Sequence, residues 1–340
     1  MHKPSMRDRF RGALVGVAIG DGIGKSVETM THDEIMALNN GMGVTGFMES
    51  VQTTFPEVAL LPPTATTDDW QLTAIVARAL IRSGGSFRLF DCAAEHIAGW
   101  RRDNCMWGKS SRSAIGELAE NRRMLGIYPA IIPGKTGLGN GVVMKISPLA
   151  LVDFFVPAEQ QINDCAALGS LTHGDPRATI AAYAIMRTMH TAMGRGFDGL
   201  TAGKTEYYQW LDWEVREMER RYADAKLAPG DQISGRLNRV RGMVNPKLIR
   251  ETAGCSFVST ETAPFTIATF LRHPDDFRAG VLEVVNAGGD TDTHASIVGA
   301  MIGANVGIGG LPPEWVEACP VRNEAFELAD ALLGCVAPVT

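Results

Sequence analysis

Glycines recur at every fourth position in two distant stretches of this chain, at Gly12, Gly16, Gly20 and Gly24 and again at Gly299, Gly303 and Gly307. Both stretches are otherwise largely apolar and read as helices. A glycine inside a helix costs about 0.5–1 kcal/mol relative to alanine, so a repeated pattern implies a compensating contact. Positions four apart share one helix face. A face without side chains lets another backbone approach closely, so tight core packing is the direct reading. A geometric corollary follows. The first stretch runs through Gly20-Asp21, and the second follows Asp290 and Asp292. If the two helices pack antiparallel, their acidic ends meet at one site.

Helical periodicity dominates the rest of the sequence. The apolar spacing predicts helices at roughly 6–20, 67–82, 86–102, 110–122, 157–170, 176–193, 205–223, 261–272, 274–286, 292–307 and 322–335. Only Thr45 to Leu61 leaves room for a short hairpin, and neither βαβ alternation nor an internal repeat is present. The stretch Ala223 to Gly254 is polar and contains Gly and Pro, and its pattern assigns no element. A chain of 340 residues accommodates one large domain or two. No stretch has the composition of an interdomain linker, so a single all-α domain over 1–340 is expected.

Composition narrows the function classes. Hydrophobic residues make up 45% and charged residues 21%, a mix that supports a sizeable core. The net charge is −6 without a basic block, so the clustered cations of a nucleic-acid groove are missing and no nucleic-acid partner is expected. The six cysteines, Cys92, Cys105, Cys165, Cys255, Cys319 and Cys335, are scattered without a CxxC pair. They read as reduced thiols of a cytoplasmic protein rather than a disulfide framework or a zinc site. Gly12 to Gly20, preceded by Lys3, Arg7, Arg9 and Arg11, looks superficially like a short signal peptide. The uncharged run Ala295 to Pro313 stops being helical near Gly307, short of the roughly 20 residues a span requires. Both are read as buried helices, with no membrane contact.

Two acidic motifs carry the chemistry. The first, Thr66-Thr67-Asp68-Asp69-Trp70-Gln71, opens an apolar helix. Asp68 with Gln71 has the spacing of a capping box, and negative charge suits a helix N-terminus. Capping accounts for one carboxylate and leaves the adjacent one unexplained. The second motif, Asn286-Ala287-Gly288-Gly289-Asp290-Thr291-Asp292-Thr293, feeds another helix and poses the same surplus. Together they offer four carboxylates and two hydroxyls. Oxygen-only ligands favour Mg²⁺ or Mn²⁺ over zinc or copper.

With these motifs in place, the chain resembles the ADP-ribosylglycohydrolases over nearly its whole length. The resemblance rests on Arg11-Gly12-Ala13-Leu14 through Gly20-Asp21-Gly22-Ile23-Gly24 and Glu28, and on Thr67-Asp68-Asp69 with Gln71. It continues through Gly139-Asn140-Gly141 with Met144, then Thr172-His173 with Pro176, and ends in Asn286 and Gly288 to Thr293. It implies a compact orthogonal helical bundle with two divalent cations, Mg²⁺ or Mn²⁺, at the base of a cleft. Thr67, Asp68 and Asp69 would bind metal from one side, and Asp290, Asp292 and Thr293 from the other. Glu28, Asp69 and Asp292 are the catalytic candidates, Glu28 as general acid/base or gate. Asp21, Gly108, Ser110, Asn140, Gly141 and His173 are the ligand-binding candidates. Gly108 and Ser110 resemble a phosphate-contacting loop, Asn140 and Gly141 a diphosphate loop. His173 matches a position near the nucleotide, or is a structural residue of the turn before Pro176.

The residues suit such chemistry on their own terms. Glycosidic cleavage recruits paired carboxyl groups, metals activate water, and backbone N–H groups of Gly-rich loops receive a diphosphate without a basic patch. The chain departs from the family pattern at Trp70, where Thr is frequent, at Lys145, and at Gly254-Cys255-Ser256 near Glu261. Trp70 is expected to alter the cleft wall, and the Cys255 loop the side facing the leaving group. His294 reads as decoration of a helix N-terminus. The expected activity is metal-dependent release of ADP-ribose from a modified protein, arginine-linked first, by a monomer. Alternatives are serine-linked, small-molecule or nucleic-acid conjugates, a non-catalytic ADP-ribose-binding or crystallin-like protein, or an unrelated Mg²⁺ phosphohydrolase. The intact Asp set argues against a non-catalytic member, and the missing Lys/Arg clamp against the phosphohydrolase.

Overall fold

The computed structural model describes residues 3–104, 106–125, 137–194, 204–223, 227 and 231–336, so that Cys105 lies outside the described residues. The N-terminal helix, Met6–Gly24, starts at Ser5, whose hydroxyl accepts the Asp8 N–H while the Asp8 carboxylate takes the Ser5 N–H. It runs four residues beyond the predicted end and is buried on all sides from Gly12 to Gly24. A helix buried all round belongs at the centre of a bundle, and its partner is the equally buried helix Thr291–Val306.

The two helices are antiparallel, and their backbones touch. A methyl group at Gly16 would lie 2.2 Å from the Gly299 carbonyl oxygen, one at Gly12 2.5 Å from that of Gly303, and one at Gly20 2.1 Å from that of Ala295. Each four-residue step forward in one helix meets a four-residue step back in the other. At the far end, a Cβ on Gly24 would lie 2.4 Å from Asp292 Cα. The glycine register therefore delivers the end of the first helix to the start of the second, as the spacing predicted. At the opposite end, buried Arg9 donates to the Ala304, Asn305 and Ala192 carbonyls at 2.7, 2.7 and 3.0 Å. These carbonyls sit in the last turns of two helices, where they lack intrahelical partners and a cation suits the dipole.

Helices Asp68–Arg82, Pro176–Gly194, Phe277–Ala287 and Arg322–Val336 pack against this pair, around one contiguous apolar core. Arg7 and Arg11 both reach Asp330, tying the first helix to the last. Among the described residues there is no strand, only isolated bridges between Thr31 and Gly288 and between Gly139 and Val258. No described helix is long and apolar enough to cross a membrane. The five described cysteines are unpaired.

The expected hairpin within Thr45 to Leu61 does not form. Val51 and Gln52 both donate to the Ser26 carbonyl, and the Gln52 side chain bridges the N–H and C=O of Phe55, leading into a short helix, Pro56–Ala59. These bonds use the polar groups that a hairpin ladder would need. The stretch from 223 to 254, which carried no assignable pattern, contains two helices, Ile233–Val240 and Pro246–Ala253. Each has only two turns, too short for periodicity to register, although Ile233, Leu237 and Val240 share a buried face.

Candidate active site and metal centre

The site is built where helix starts converge. Asp68 and Asp69 open the helix Asp68–Arg82, but neither caps it. Thr67 holds the cap position without a side-chain cap bond, and fully buried Asp21 supplies the acceptors from the neighbouring helix. Its carboxylate takes the N–H groups of Thr67 and Trp70 at 2.9–3.0 Å and the Thr67 hydroxyl at 2.8 Å. The capping box of Asp68 with Gln71 is thus absent, and the Gln71 amide oxygen instead accepts from the Trp107 indole at 3.2 Å. Because Asp21 satisfies the helix end, the two following aspartates are left for other chemistry.

The second motif is held from several directions. Gly288 and Gly289 both have positive φ, 83° and 81°, which glycine adopts without strain. The Asp290 N–H donates to the Cys255 carbonyl, and Thr291 Oγ1 to the Gly24 carbonyl at 2.7 Å. The Gly289 backbone exchanges bonds with Thr29 and Met30, which fixes Glu28 beside Asp290. Asn140 donates its amide to Asp290 Oδ2 at 2.6 Å and to Thr262 Oγ1 at 3.1 Å. Thr293 Oγ1 and Ser296 Oγ donate to the two oxygens of Asp69 at 3.2 and 2.8 Å. Ser296 is one residue the sequence reading missed. It lies one turn beyond Asp292, and that spacing was the available signal.

The carboxylates fall into two triads with one shared member. In Asp21, Asp69 and Asp292, one oxygen from each lies within 4.8 Å of the others, and the same holds for Glu28, Asp290 and Asp292. Asp68 stands beside these triads, half-buried, accepting the Gly108 N–H at 3.2 Å. Burial and mutual repulsion make the cluster resist ionisation. Burial first, then neighbouring carboxylates, pushes Asp68 up to about 7 and Glu28 up to about 9. Asp69 and Asp292 rise well above the ordinary carboxylate range for the same reasons. Burial also lifts Asp21 to about 6, against the opposing bonds from Thr67 and Trp70. A close set of hard oxygen ligands that repel one another fits a divalent cation, whose charge offsets the cost of ionising them.

A cleft of about 1040 Å³ opens above this floor. Its base includes Glu28, Thr67, Asp69, Asp290 and Asp292, whereas Asp21 lies behind it. Gly108, Ser110, Asn140, Gly141 and His173 line it too, so the structure brings these expected ligand contacts to one cavity. Asn140 is already committed to Asp290 and Thr262 through its amide and to the Phe257 carbonyl through its N–H. Ser110 Oγ accepts the Gly137 N–H at 3.3 Å and so pins the Gly-rich loop. Two expectations change. Trp70 is not on the cleft wall but buried, with its indole donating to Glu324 at 3.3 Å. His294 lies in the first turn of its helix, as expected, but is more than decoration there. It is fully buried, edge-on to Phe265 at 5.1 Å.

The profile described as ADP-ribosylglycohydrolase matches residues 2–338. The chain belongs to the ADP-ribosylglycohydrolase family. It is therefore an ADP-ribosyl hydrolase, an enzyme that cleaves glycosidic bonds to ADP-ribose. It is 25% identical over 344 residues to the ADP-ribosyl-[dinitrogen reductase] glycohydrolase of Rhodospirillum rubrum, covering 98% of both chains. It is also 25% identical to the mouse ADP-ribosylhydrolase ARH3, over 95% of this chain and 90% of that one. The ADP-ribosylarginine hydrolase Tri1 of Pseudomonas putida is 24% identical, over 96% and 78%. A solved structure titled ADP-ribosylglycohydrolase-related protein complex superposes with a TM-score of 0.69 at 25% identity, covering 98% of this chain and 99% of that one.

Proposed function

We propose that this ADP-ribosyl hydrolase releases ADP-ribose from a modified protein side chain, with arginine the favoured linkage, at a centre of two divalent cations, Mg²⁺ or Mn²⁺. The observation that carries the reading is the pair of carboxylate triads meeting at Asp292. Two carboxylate groups that share Asp292, with Asp21 held back as the acceptor behind Thr67, would suit two cations with Asp292 common to both. Asp69 and Thr67 would hold one side, Glu28 or Asp290 with Thr293 the other, and Asp68 would complete the set from the rim. When bound, the cations supply Lewis acidity and an activated water. The arginine preference draws support from the relative named as an ADP-ribosylarginine hydrolase.

The chain's own residues then divide the work. Asp21 and Ser296 orient Thr67 and Asp69, and Asn140 orients Asp290. Glu28 faces the cleft from the loop stitched to Gly289, in place to give or take a proton at the scissile bond. The Gly137–Gly141 segment lines the cleft where a diphosphate would lie, and Gly108, where an added Cβ would meet nothing within 4 Å, leaves the adjoining wall open. The five free thiols support a reducing, cytoplasmic setting, and we take the working form to be the monomer.

The test is incubation of the protein with arginine-ADP-ribosylated and serine-ADP-ribosylated proteins in Mg²⁺, Mn²⁺ or EDTA. Metal-dependent release from the arginine conjugate, in excess over serine, is expected. Preferential release from serine overturns the linkage, and tight ADP-ribose binding without release from either conjugate overturns the catalytic reading.

A further inference from the structure

At the cleft wall, His173 ends a hydrogen-bonded chain whose other two members, Lys145 and Thr172, lie behind the wall. Fully buried Lys145 donates from Nζ to Thr172 Oγ1 at 3.0 Å, and Thr172 Oγ1 lies 2.8 Å from His173 Nδ1. An ammonium group can only donate, so the Thr172 hydroxyl accepts from Lys145 and has one proton of its own to give. Helical threonines often return that proton to the carbonyl four residues back. Among the described residues Thr172 Oγ1 makes no bond to a carbonyl, and the imidazole is the one acceptor within reach of its proton. His173 Nδ1 therefore accepts, and the ring proton resides on Nε2.

The geometry of the opposite ring edge shows where that proton points. A Cβ added at Gly141 would lie 3.0 Å from His173 Cε1 and 3.3 Å from Nε2, and one at Gly139 would lie 3.7 Å from Nε2. The two glycines thus uncover the edge of the imidazole that faces the cleft. Among the described residues, Nε2 has no hydrogen-bond partner, although His173 lines the cavity. Burial, with the nearby Lys145 charge, pushes His173 down to about 3, whereas burial brings Lys145 down to about 8. Both shifts favour an uncharged ring and a charged amine at neutral pH.

We infer that Lys145 and Thr172 are positioning residues that lock His173 in its Nε2–H tautomer, presenting a neutral N–H donor to an oxygen of the bound ligand between Gly139 and Gly141. The identity of that oxygen, part of an ADP-ribosyl group, rests on the proposed function; the tautomer does not. A neutral donor recognises a diphosphate or ribose oxygen by direction rather than charge. It also keeps proton transfer at this wall separate from Glu28.

Long-range proton–nitrogen correlation spectra of the ¹⁵N-histidine-labelled full chain at pH 7 test this, with His173→Gln assigning the signal. The wild type should show neutral His173 with the proton on Nε2. Thr172→Val should release the ring into a tautomer mixture, and Thr172→Ser should restore the lock. Affinity for ADP-ribose should fall about tenfold in Thr172→Val and Lys145→Met and recover in Thr172→Ser, the loss expected for one misdirected hydrogen bond. A proton on Nδ1 in the wild type overturns the lock. So does an unchanged tautomer in Thr172→Val. If the tautomer is lost while ADP-ribose affinity stays unchanged, the donor role is overturned. Conjugate release by the wild type distinguishes that failure from failure of the ADP-ribosyl reading.

Discussion

Gly16→Ala places a methyl group where the structure has none to spare. Its Cβ would lie 2.2 Å from the Gly299 carbonyl oxygen and 2.7 Å from the carbonyl carbon, below the 3.0 Å that real Cβ atoms keep. The obstacle is backbone, so no rotamer change relieves it, and the two central helices must separate by about 1 Å. Overpacking of this kind costs typically about 1–3 kcal/mol, offset by up to about 1 kcal/mol of better helix propensity. A net loss of roughly 1 kcal/mol spread over 340 residues lowers Tm by about 1–2 °C. Activity should suffer more than stability. Gly24 lies in the same contact and a Cβ there would lie 2.4 Å from Asp292 Cα, so the displacement reaches the clustered carboxylates, and a misplacement of about 1 Å costs up to about a hundredfold in rate. Gly334→Ala is the control. It is helical too, but a Cβ there meets nothing within 4 Å, so it should be neutral or stabilising by up to about 1 kcal/mol. Calorimetry and conjugate hydrolysis on both variants decide the matter. If Gly16→Ala matches Gly334→Ala in Tm and rate, the close helix contact does not set the site.

The acidic cluster should make the metal-free protein pH-sensitive. Groups whose folded pKa is raised contribute stability that is fully present below their unfolded value of about 4 and lost as pH rises through the folded values. Those values are about 7 for Asp68 and about 9 for Glu28, so Tm in EDTA should fall between pH 5 and pH 8, and Mg²⁺ should reduce the fall. A flat or rising profile in EDTA contradicts the electrostatics described here. Asp69→Asn removes one repelling charge, and should raise the metal-free Tm at pH 8 while abolishing hydrolysis. A lower Tm would show that Asp69 serves structure through Ser296 and Thr293 instead. Glu28→Gln should cut turnover by about a hundredfold or more and change Mn²⁺ affinity by less than tenfold. Unchanged turnover would reduce Glu28 to a loop residue.

Much of this architecture is legible in the sequence because it is written in periodic signals. The four-residue glycine spacing specifies a close backbone contact between two helices, whose antiparallel sense the structure supplies, and the surplus of aspartates over caps specifies a site. What the sequence does not display is which carboxylate performs which task. Asp68 has the spacing of a cap, yet Asp21, forty-six residues before Thr67, does the capping, because a long-range acceptor from a buried helix end leaves no local pattern. Asn140 sits in a Gly-rich loop, yet its amide turns inward to Asp290, a choice made by Thr262 and the Phe257 carbonyl rather than by neighbours in sequence. Short elements were lost for a different reason. Thr31 and Glu34 form a capping box that opens the helix His32–Met36, a signal present in the sequence but attached to too few residues to show periodicity.

Counting Mn²⁺ ions tests the central claim most directly, by equilibrium titration followed by paramagnetic resonance, on the wild type, Asp290→Asn and Asp292→Asn. The shared position of Asp292 predicts two ions per wild-type chain with the coupled spectrum of a close pair. Asp290→Asn should weaken one ion, and Asp292→Asn should weaken both. A single uncoupled ion in the wild type, or an Asp292→Asn variant that still binds two with wild-type affinity, would contradict the account.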